Sequence, residues 1–100
     1  MVFEESVVLG IPFAEALAAT KAALADHGFG VLTEIDMQQT LKIKVDKDMD
    51  PYVILGACNP KLASAALDVE PNVGALLPCN VVVRQVGDQV QVDALDPGLM

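Results

Sequence analysis

Two cysteines are the most reactive groups in this chain, and each stands in a Cys-Asn pair. Cys58 lies in 55-LGACNPKLASAAL-67 and Cys79 in 77-LPCNVVV-83. A thiol beside a helix N-terminus has its thiolate stabilised by the helix dipole and by free N–H groups. Redox exchange, binding of a soft metal such as copper(I), or carriage of a persulfide would suit such a pair. Cys58 and Cys79 are therefore the candidate catalytic residues.

The spacing of these cysteines carries no signature of a known thiol chemistry. The sequence has no C-x-x-C motif, and two thiols without a histidine at ligand spacing are too few for structural zinc. The alternative is that both are small buried hydrophobic side chains, as free cysteine often is. We prefer this interpretation, and predict no metal site and no cofactor. A structural disulfide is the least favoured option for a cytoplasmic chain.

Three polar residues are candidate ligand contacts: Asn59, Asn80 and Asp36. Each also has a structural interpretation. Asn59 and Asp36 stand where a helix N-cap is expected, and Asn80 can bond a turn as readily as a ligand. The sequence itself does not decide between the two roles.

Two other polar features are assigned to structure. The loop 46-DKDMD-50 has carboxylates at alternate positions, as a calcium-binding EF-hand loop begins, but Pro51 and Ala57 replace the glycine and glutamate that this loop requires. It is interpreted as a solvated loop. His27 is the single histidine and follows a predicted helix, where a positive charge complements the dipole.

The elements that must position these groups meet at residue 59. The nearly unbroken apolar run 52–58 predicts a strand buried on both faces. Asn59 is the predicted N-cap of the next helix, and Pro60 suits its first position because the proline lacks an N–H. Leu62, Ala63, Ala66 and Leu67 are the predicted buried stripe of that helix.

The rest of the chain alternates between the two periodicities. We predict a strand at 2–9, a helix that has Pro12 at its first position and closes at His27-Gly28, a strand at 29–35, and a hairpin of strands 79–86 and 89–95 around 87-GD-88. For 37–45 a helix with a stripe of Met37, Leu41 and Val45 is favoured, with a strand at 41–45 as the alternative. The order β-α-β-(α)-β-α-β-β indicates one α+β domain over residues 1–100. It has a mixed or mostly antiparallel sheet with helices on one face.

Composition excludes some partners and suggests another. The net charge of −8 and the scattered bases argue against nucleic acid and against an anionic membrane surface. No apolar run approaches a membrane span, and Glu4 and Glu5 do not fit a signal peptide, so a cytoplasmic location is expected. The chain is 53% hydrophobic, with a mean hydropathy of +0.45. An apolar face covered by a second copy, a homodimer, is the preferred explanation.

Four strings stand in order along almost the whole chain: 29-FGVLTEIDMQQTLK-42, 52-YVILGACNPKLASAAL-67, 76-LLPCNVVV-83 and 92-VDALDP-97. Together they resemble the DUF302 family, small bacterial and archaeal proteins of unknown function. The resemblance implies a compact α+β domain with an antiparallel-type sheet backed by helices, and it implies a dimer. It supplies no reaction, so whether the chain is an enzyme stays open.

The resemblance also bears on the candidate groups. Another branch of the family has F-G-N-P and L-P-L-K where this chain has 57-ACNP-60 and 78-PCNV-81, which implies that the fold does not need the thiols. Met37 stands where other branches often carry histidine, so no metal or acid–base role is implied there. A non-enzymatic dimer that binds a small ligand or a protein partner is the first hypothesis. A thiol-dependent enzyme or a sulfur or soft-metal carrier is the second.

Overall fold

A computed structural model describes residues 5–94. The chain forms β1 (Glu5–Leu9), α1 (Phe13–Asp26), β2 (Gly30–Asp36), α2 (Met37–Val45), β3 (Tyr52–Cys58), α3 (Pro60–Val69), a 3-10 helix (Pro71–Leu76), β4 (Cys79–Val86) and β5 (Gln89–Ala94). This is the predicted order with the 3-10 helix added. Residues 2–4 of the predicted first strand, and 95–98 at the end of the hairpin, lie outside the described residues.

The five described strands form one sheet in the order β1-β5-β4-β3-β2. All four pairings are antiparallel, which confirms the α+β class. The two thiol-bearing strands, β3 and β4, are neighbours, and Ala57 stands opposite Cys79. A bulge between Val31 and Thr33 interrupts the pairing of β2 with β3.

Local signals set several element boundaries as predicted, although Pro12 is the N-cap residue of α1 rather than its first residue and β2 lies one residue later than expected. Asp36 Oδ1 accepts a hydrogen bond from the Gln39 N–H at 2.9 Å and so caps α2, which makes 37–45 a helix rather than a strand. Gly28 after α1 and Gly87 in the hairpin turn have φ of +82° and +62°. A side chain is strained in that region, which explains glycine at both positions.

The core lies on one face of the sheet, beneath α1. Ala16 of α1 is fully buried against Leu55, Val81, Val83 and Val90. Phe13, Leu17 and Leu24 of the same helix pack around this cluster. The apolar period of α1 thus meets the inward-facing half of the sheet residues, as alternation along a strand requires.

The prediction that β3 is buried on both faces is wrong in part, since only one of its faces is buried along its length. Val53, Leu55 and Ala57 are buried, whereas of the residues that point the other way Gly56 is buried and Tyr52 and Ile54 are only partly buried. β3 also lies one strand in from the edge rather than at the centre. Its unbroken apolar run therefore places hydrophobic side chains on a face that α1 does not cover.

That second face is called here the open sheet face. Alternation and register place on it apolar side chains and a polar group, among them Val8, Ile35, Tyr52, Ile54, Val82, Val86, Ser6, Arg84, Gln91 and Asp93. Val8 is 54% exposed, and Ile35 and Val86 are each 44% exposed. Apolar surface therefore remains uncovered on this side of the described chain.

The predicted buried stripes of α2 and α3 are also wrong in part. On α3, Leu62 is 63% and Leu67 42% exposed, and on α2 Val45 is 67% exposed. α3 packs mainly against the 3-10 helix rather than on the sheet, so its outward apolar side chains find no cover. None of the described helices has the length and apolarity to cross a membrane.

Candidate functional site

A pocket of roughly 340 Å³ opens where β3 ends and α3 begins. Its lining is mostly apolar and includes both thiols: Phe29, Cys58, Asn59, Leu62, Ala63, Ala66, Val73, Leu77 and Cys79. We call it the thiol pocket. The structure thus brings three of the five candidate residues, Cys58, Asn59 and Cys79, to one place.

The wall of the thiol pocket is built by the junction between β3 and α3. Asn59 Oδ1 accepts hydrogen bonds from the backbone N–H groups of Lys61 at 3.1 Å and Leu62 at 3.2 Å. Pro60 takes the first helical position. The Asn-Pro pair therefore fixes the direction in which α3 leaves the sheet, and with it the side of α3 that faces the pocket.

The thiols themselves are free rather than joined in a disulfide, and each is partly exposed. Burial, followed by the nearby Cys58 thiol, raises the pKa of the Cys79 thiol above its ordinary value. Both causes disfavour the negative charge of a thiolate. Cys79 is therefore held as the neutral thiol near pH 7, which suits a pocket lining better than a nucleophile.

β2, β3 and the proline that precedes β4 approach one another closely next to Cys79. Gly56 of β3 has Thr33 of β2 and Pro78, beside Cys79, directly over the position where a side chain would begin. A Cβ at residue 56 would collide with Thr33 Oγ1 and stand 2.8 Å from the Pro78 ring. The absence of a side chain at this position lets Pro78 lie close to the sheet.

The other two candidate ligand contacts lie outside the thiol pocket. Asn80 is exposed on β4 and does not line it. Asp36 is engaged as the cap of α2, at the end of β2 away from Gly30, the residue that pairs with Cys58. A ligand-binding role for either residue stays a prediction.

The remaining polar features of the sequence make local contacts. His27 Nδ1 lies 2.8 Å from the Ala23 carbonyl oxygen. Lys42 forms ion pairs of 2.8 Å with Asp46 and with Asp48, both exposed, so the acidic loop is partly neutralised by its own helix. Among residues 5–94, no three or more His, Cys, Asp or Glu side chains gather closely enough to hold a metal ion.

A second, wider groove of roughly 520 Å³ runs between α1 and the β1–β5 side of the sheet. Ala19 and Ala23 of α1 line one side, Val92 and Ala94 of β5 the other, and Phe29 separates this groove from the thiol pocket. Small side chains facing valines leave the space unfilled. The groove forms because α1 presents small alanine side chains there. In the sequence, alanines in a helix indicate helix propensity and do not predict a groove.

The open sheet face carries a nearly buried carboxylate that was not predicted from the sequence. Asp93 is only 9% exposed and accepts hydrogen bonds from Ser6 Oγ at 2.6 Å, Gln91 Nε2 at 2.8 Å and Arg84 Nε at 3.2 Å. Burial works to raise the pKa of Asp93, but the bonds from Ser6, Gln91 and Arg84 and the Arg84 charge outweigh it, so the pKa lies below its ordinary value. Ser6 is 87 residues away in sequence, and no local motif announces the pairing.

Comparison with known proteins finds the same fold in a solved structure and identifies the family. A family model described as a domain of unknown function, DUF302, matches residues 5–100. The crystal structure of an uncharacterized conserved DUF302 protein from Bacillus stearothermophilus is similar with a TM-score of 0.89 and 29% identity, over 99% of this chain and 77% of that one. No protein with a curated description matches. The chain belongs to the DUF302 family.

Proposed function

We propose that the chain is a non-enzymatic, dimeric domain that binds a small, largely apolar molecule in the thiol pocket. One observation carries the proposal. An open pocket lined mainly by apolar side chains lies where β3 ends and β4 begins, beside a helix that hardly contacts the sheet. A volume of roughly 340 Å³ is at the lower end of the ~300–1,000 Å³ typical of ligand sites.

The chemistry of the lining restricts the ligand. Apolar walls formed by Phe29, Leu62 and Ala66 favour a neutral, hydrophobic body. Asn59 uses its Oδ1 to cap α3, so a polar contact from this side chain would come from its amide Nδ2. The net charge of −8 disfavours anionic ligands. A neutral ligand of modest size with one hydrogen-bond acceptor fits best.

The dimer and the cytoplasmic location belong to the same proposal. Exposed apolar side chains on the open sheet face support a second copy. Two free thiols support a reducing compartment. Neither depends on the identity of the ligand.

Thiol chemistry is the second candidate, because both thiols line one pocket. The raised pKa of Cys79 weighs against it, since an attacking or metal-binding thiol acts as the thiolate. In this alternative Cys58 would be the reactive group and Cys79 its partner.

Ligand binding is tested by filling the pocket. The half-exposed Ala63 lines it, whereas Ala65 on the same helix is exposed and does not. Nile red, a neutral dye that fluoresces in apolar surroundings, should bind the wild-type chain and A65F equally. A63F should weaken binding by at least about tenfold because the ring occupies the space. Equal binding by A63F and A65F, or no binding by wild type, would overturn the pocket proposal.

The two candidates are separated by removing the sulfurs. A C58A/C79A chain should bind Nile red within about twofold of wild type, and a thiol reagent should modify native Cys79 more slowly than the unfolded chain. Rapid modification of either native thiol, together with loss of a bound metal or sulfur species in the double variant, would favour the second candidate.

A further inference from the structure

We infer that the open sheet face is the surface through which two copies of this chain associate, sheet against sheet. The inference rests on the proposed dimer and assigns it a place. It starts from the apolar side chains of this face, of which Val8, Ile35 and Val86 are 54%, 44% and 44% exposed. They stand on β1, β2 and β4, so apolar side chains lie on both sides of the polar residues Gln91 and Asp93 of β5.

Charge selects this face over the rest of the surface. The chain carries 14 acidic residues and a net charge of −8, so two copies repel each other over most approaches. Among the described strand residues that point to the open sheet face, Arg84 and Asp93 are the charged ones, and they form an ion pair of 3.2 Å. The face is therefore locally neutral, and repulsion between two copies is weakest there.

Asp93 and its hydrogen-bond partners Ser6, Arg84 and Gln91 are called the Asp93 group. These bonds also lower the free-energy cost of taking this face out of water. A carboxylate that loses water without partners is expensive to bury. Asp93 already has its three hydrogen bonds within the chain and is 9% exposed, so most of its hydration is lost before any partner arrives. Arg84 uses Nε for this bond, and its four remaining N–H donors can reach polar groups of a second copy.

The size of the face fits a second copy. Five strands about 4.8 Å apart, of five to eight residues at about 3.3 Å, make a face of roughly 24 by 20 Å before side-chain relief is added. This footprint is about 480 Å², whereas a standard interface buries about 800 Å² of accessible surface per partner and small interfaces bury less than about 600 Å². Side chains raise the accessible area above the footprint, so the whole face is needed to form an interface between these two sizes. Two copies meeting about a two-fold axis bring the same patch to both sides, and sheets pack face to face about 10 Å apart.

The experiment places a charge on the face without disturbing the folded monomer. Val8 and Ile35 are exposed in the single chain, so V8E and I35E should fold normally by circular dichroism. Wild type should sediment at twice the chain mass of 10.5 kDa at micromolar concentration. Each variant should raise the dimer dissociation constant at least about 100-fold, because an unpaired charge is trapped between the sheets. The matched control is V69E on α3, where Val69 is 85% exposed, and it should remain a dimer.

The outcomes separate the interface from the ligand proposal. A wild-type monomer at 100 µM overturns the interface. A dimer that survives V8E and I35E but is lost in V69E overturns it too, and places the contact on α3. Nile red binding, measured on the monomeric variants, reports the thiol pocket independently. Failure of that binding alone leaves the interface standing.

Discussion

Helices α1 and α3 are both rich in alanine and both follow a strand, yet they are held in opposite ways. α1 has no side-chain cap at its N-terminus and is fixed by packing, with Ala16 fully buried and Phe13, Leu17 and Leu24 around the core. α3 has a complete Asn-Pro cap but leaves Leu62 63% exposed. α1 is stabilised by packing on the sheet, and α3 by its capped N-terminus together with its contacts to the 3-10 helix.

The difference shows where an open site can exist in a small domain. A helix that packs closely on a sheet closes the space beneath it, as α1 does over Leu55 and Val83. A helix that is capped and packs on a neighbouring 3-10 helix, as α3 does, can form while standing away from the sheet. The thiol pocket lies under the second kind of helix, and the following predictions test that contrast in order of decreasing effect.

Removing an anchor of α1 should have the largest effect. Leu17→Ala deletes a side chain that packs against the core, and the free energy of unfolding should fall by about 2 kcal/mol, the lower end for leucine because this site is only partly buried. Urea denaturation measures it. A loss below about 0.5 kcal/mol would show that α1 is not the packed helix of the pair.

The Asp93 group should contribute nearly as much, and with a defined pH dependence. Asp93→Asn removes the carboxylate that Ser6, Arg84 and Gln91 bond, and should cost about 1.5 kcal/mol near neutral pH. Because the folded pKa lies below the ordinary 3.8, this stability is present above pH 3.8 and is lost as pH falls through the folded pKa. Urea titrations of both chains should therefore converge in acid. A constant difference down to the most acid pH would contradict it.

Removing the cap of α3 should cost about 1 kcal/mol or less. Asn59→Ala leaves the N–H groups of Lys61 and Leu62 without their acceptor. Because α3 hardly contacts the sheet, the loss should be local. Hydrogen exchange should speed up in 60–69 and stay unchanged in α1. Faster exchange throughout the chain would instead show that α3 is coupled to the core.

The smallest change in stability should come from Leu62→Ala, the counterpart of Leu17→Ala on α3. With 63% of Leu62 exposed, the free energy of unfolding should change by less than about 0.5 kcal/mol. Nile red affinity should nevertheless fall, since Leu62 lines the thiol pocket. The two Leu→Ala variants thus separate a residue that packs from one that contacts ligand.

The same contrast explains what the sequence could predict. Caps and turns depend on neighbours in the chain, so Asp36, the Asn59-Pro60 pair and the hairpin at Gly87 were legible from their types and positions. The strands were predicted from alternating or unbroken apolar runs. The pairing of β4 with β5 was predicted from the short turn between them. The elements and their order are therefore local information.

The features that could not be predicted from the sequence depend on residues that are distant in the chain. Apolar spacing on α3 indicates which side chains share a face, but it does not say whether a sheet lies opposite, so Leu62 and Leu67 were wrongly expected to be buried. The bond between Ser6 and Asp93 joins the two outer parts of the chain and follows only from the placement of β1 beside β5. That Cys58 and Cys79 line one pocket follows only from the placement of β3 beside β4.

Gly56 does not line the thiol pocket, yet it bears on the shape of that pocket. Thr33 and Pro78 close over the space that any larger residue would occupy. Substitution there would push Pro78 outward and carry Cys79, the next residue, with it. In a survey of all single substitutions, residue 56 should therefore rank among the least permissive for binding, although it contributes no atom to the pocket wall. The shape of the site would then be set as much by an absent side chain as by those present.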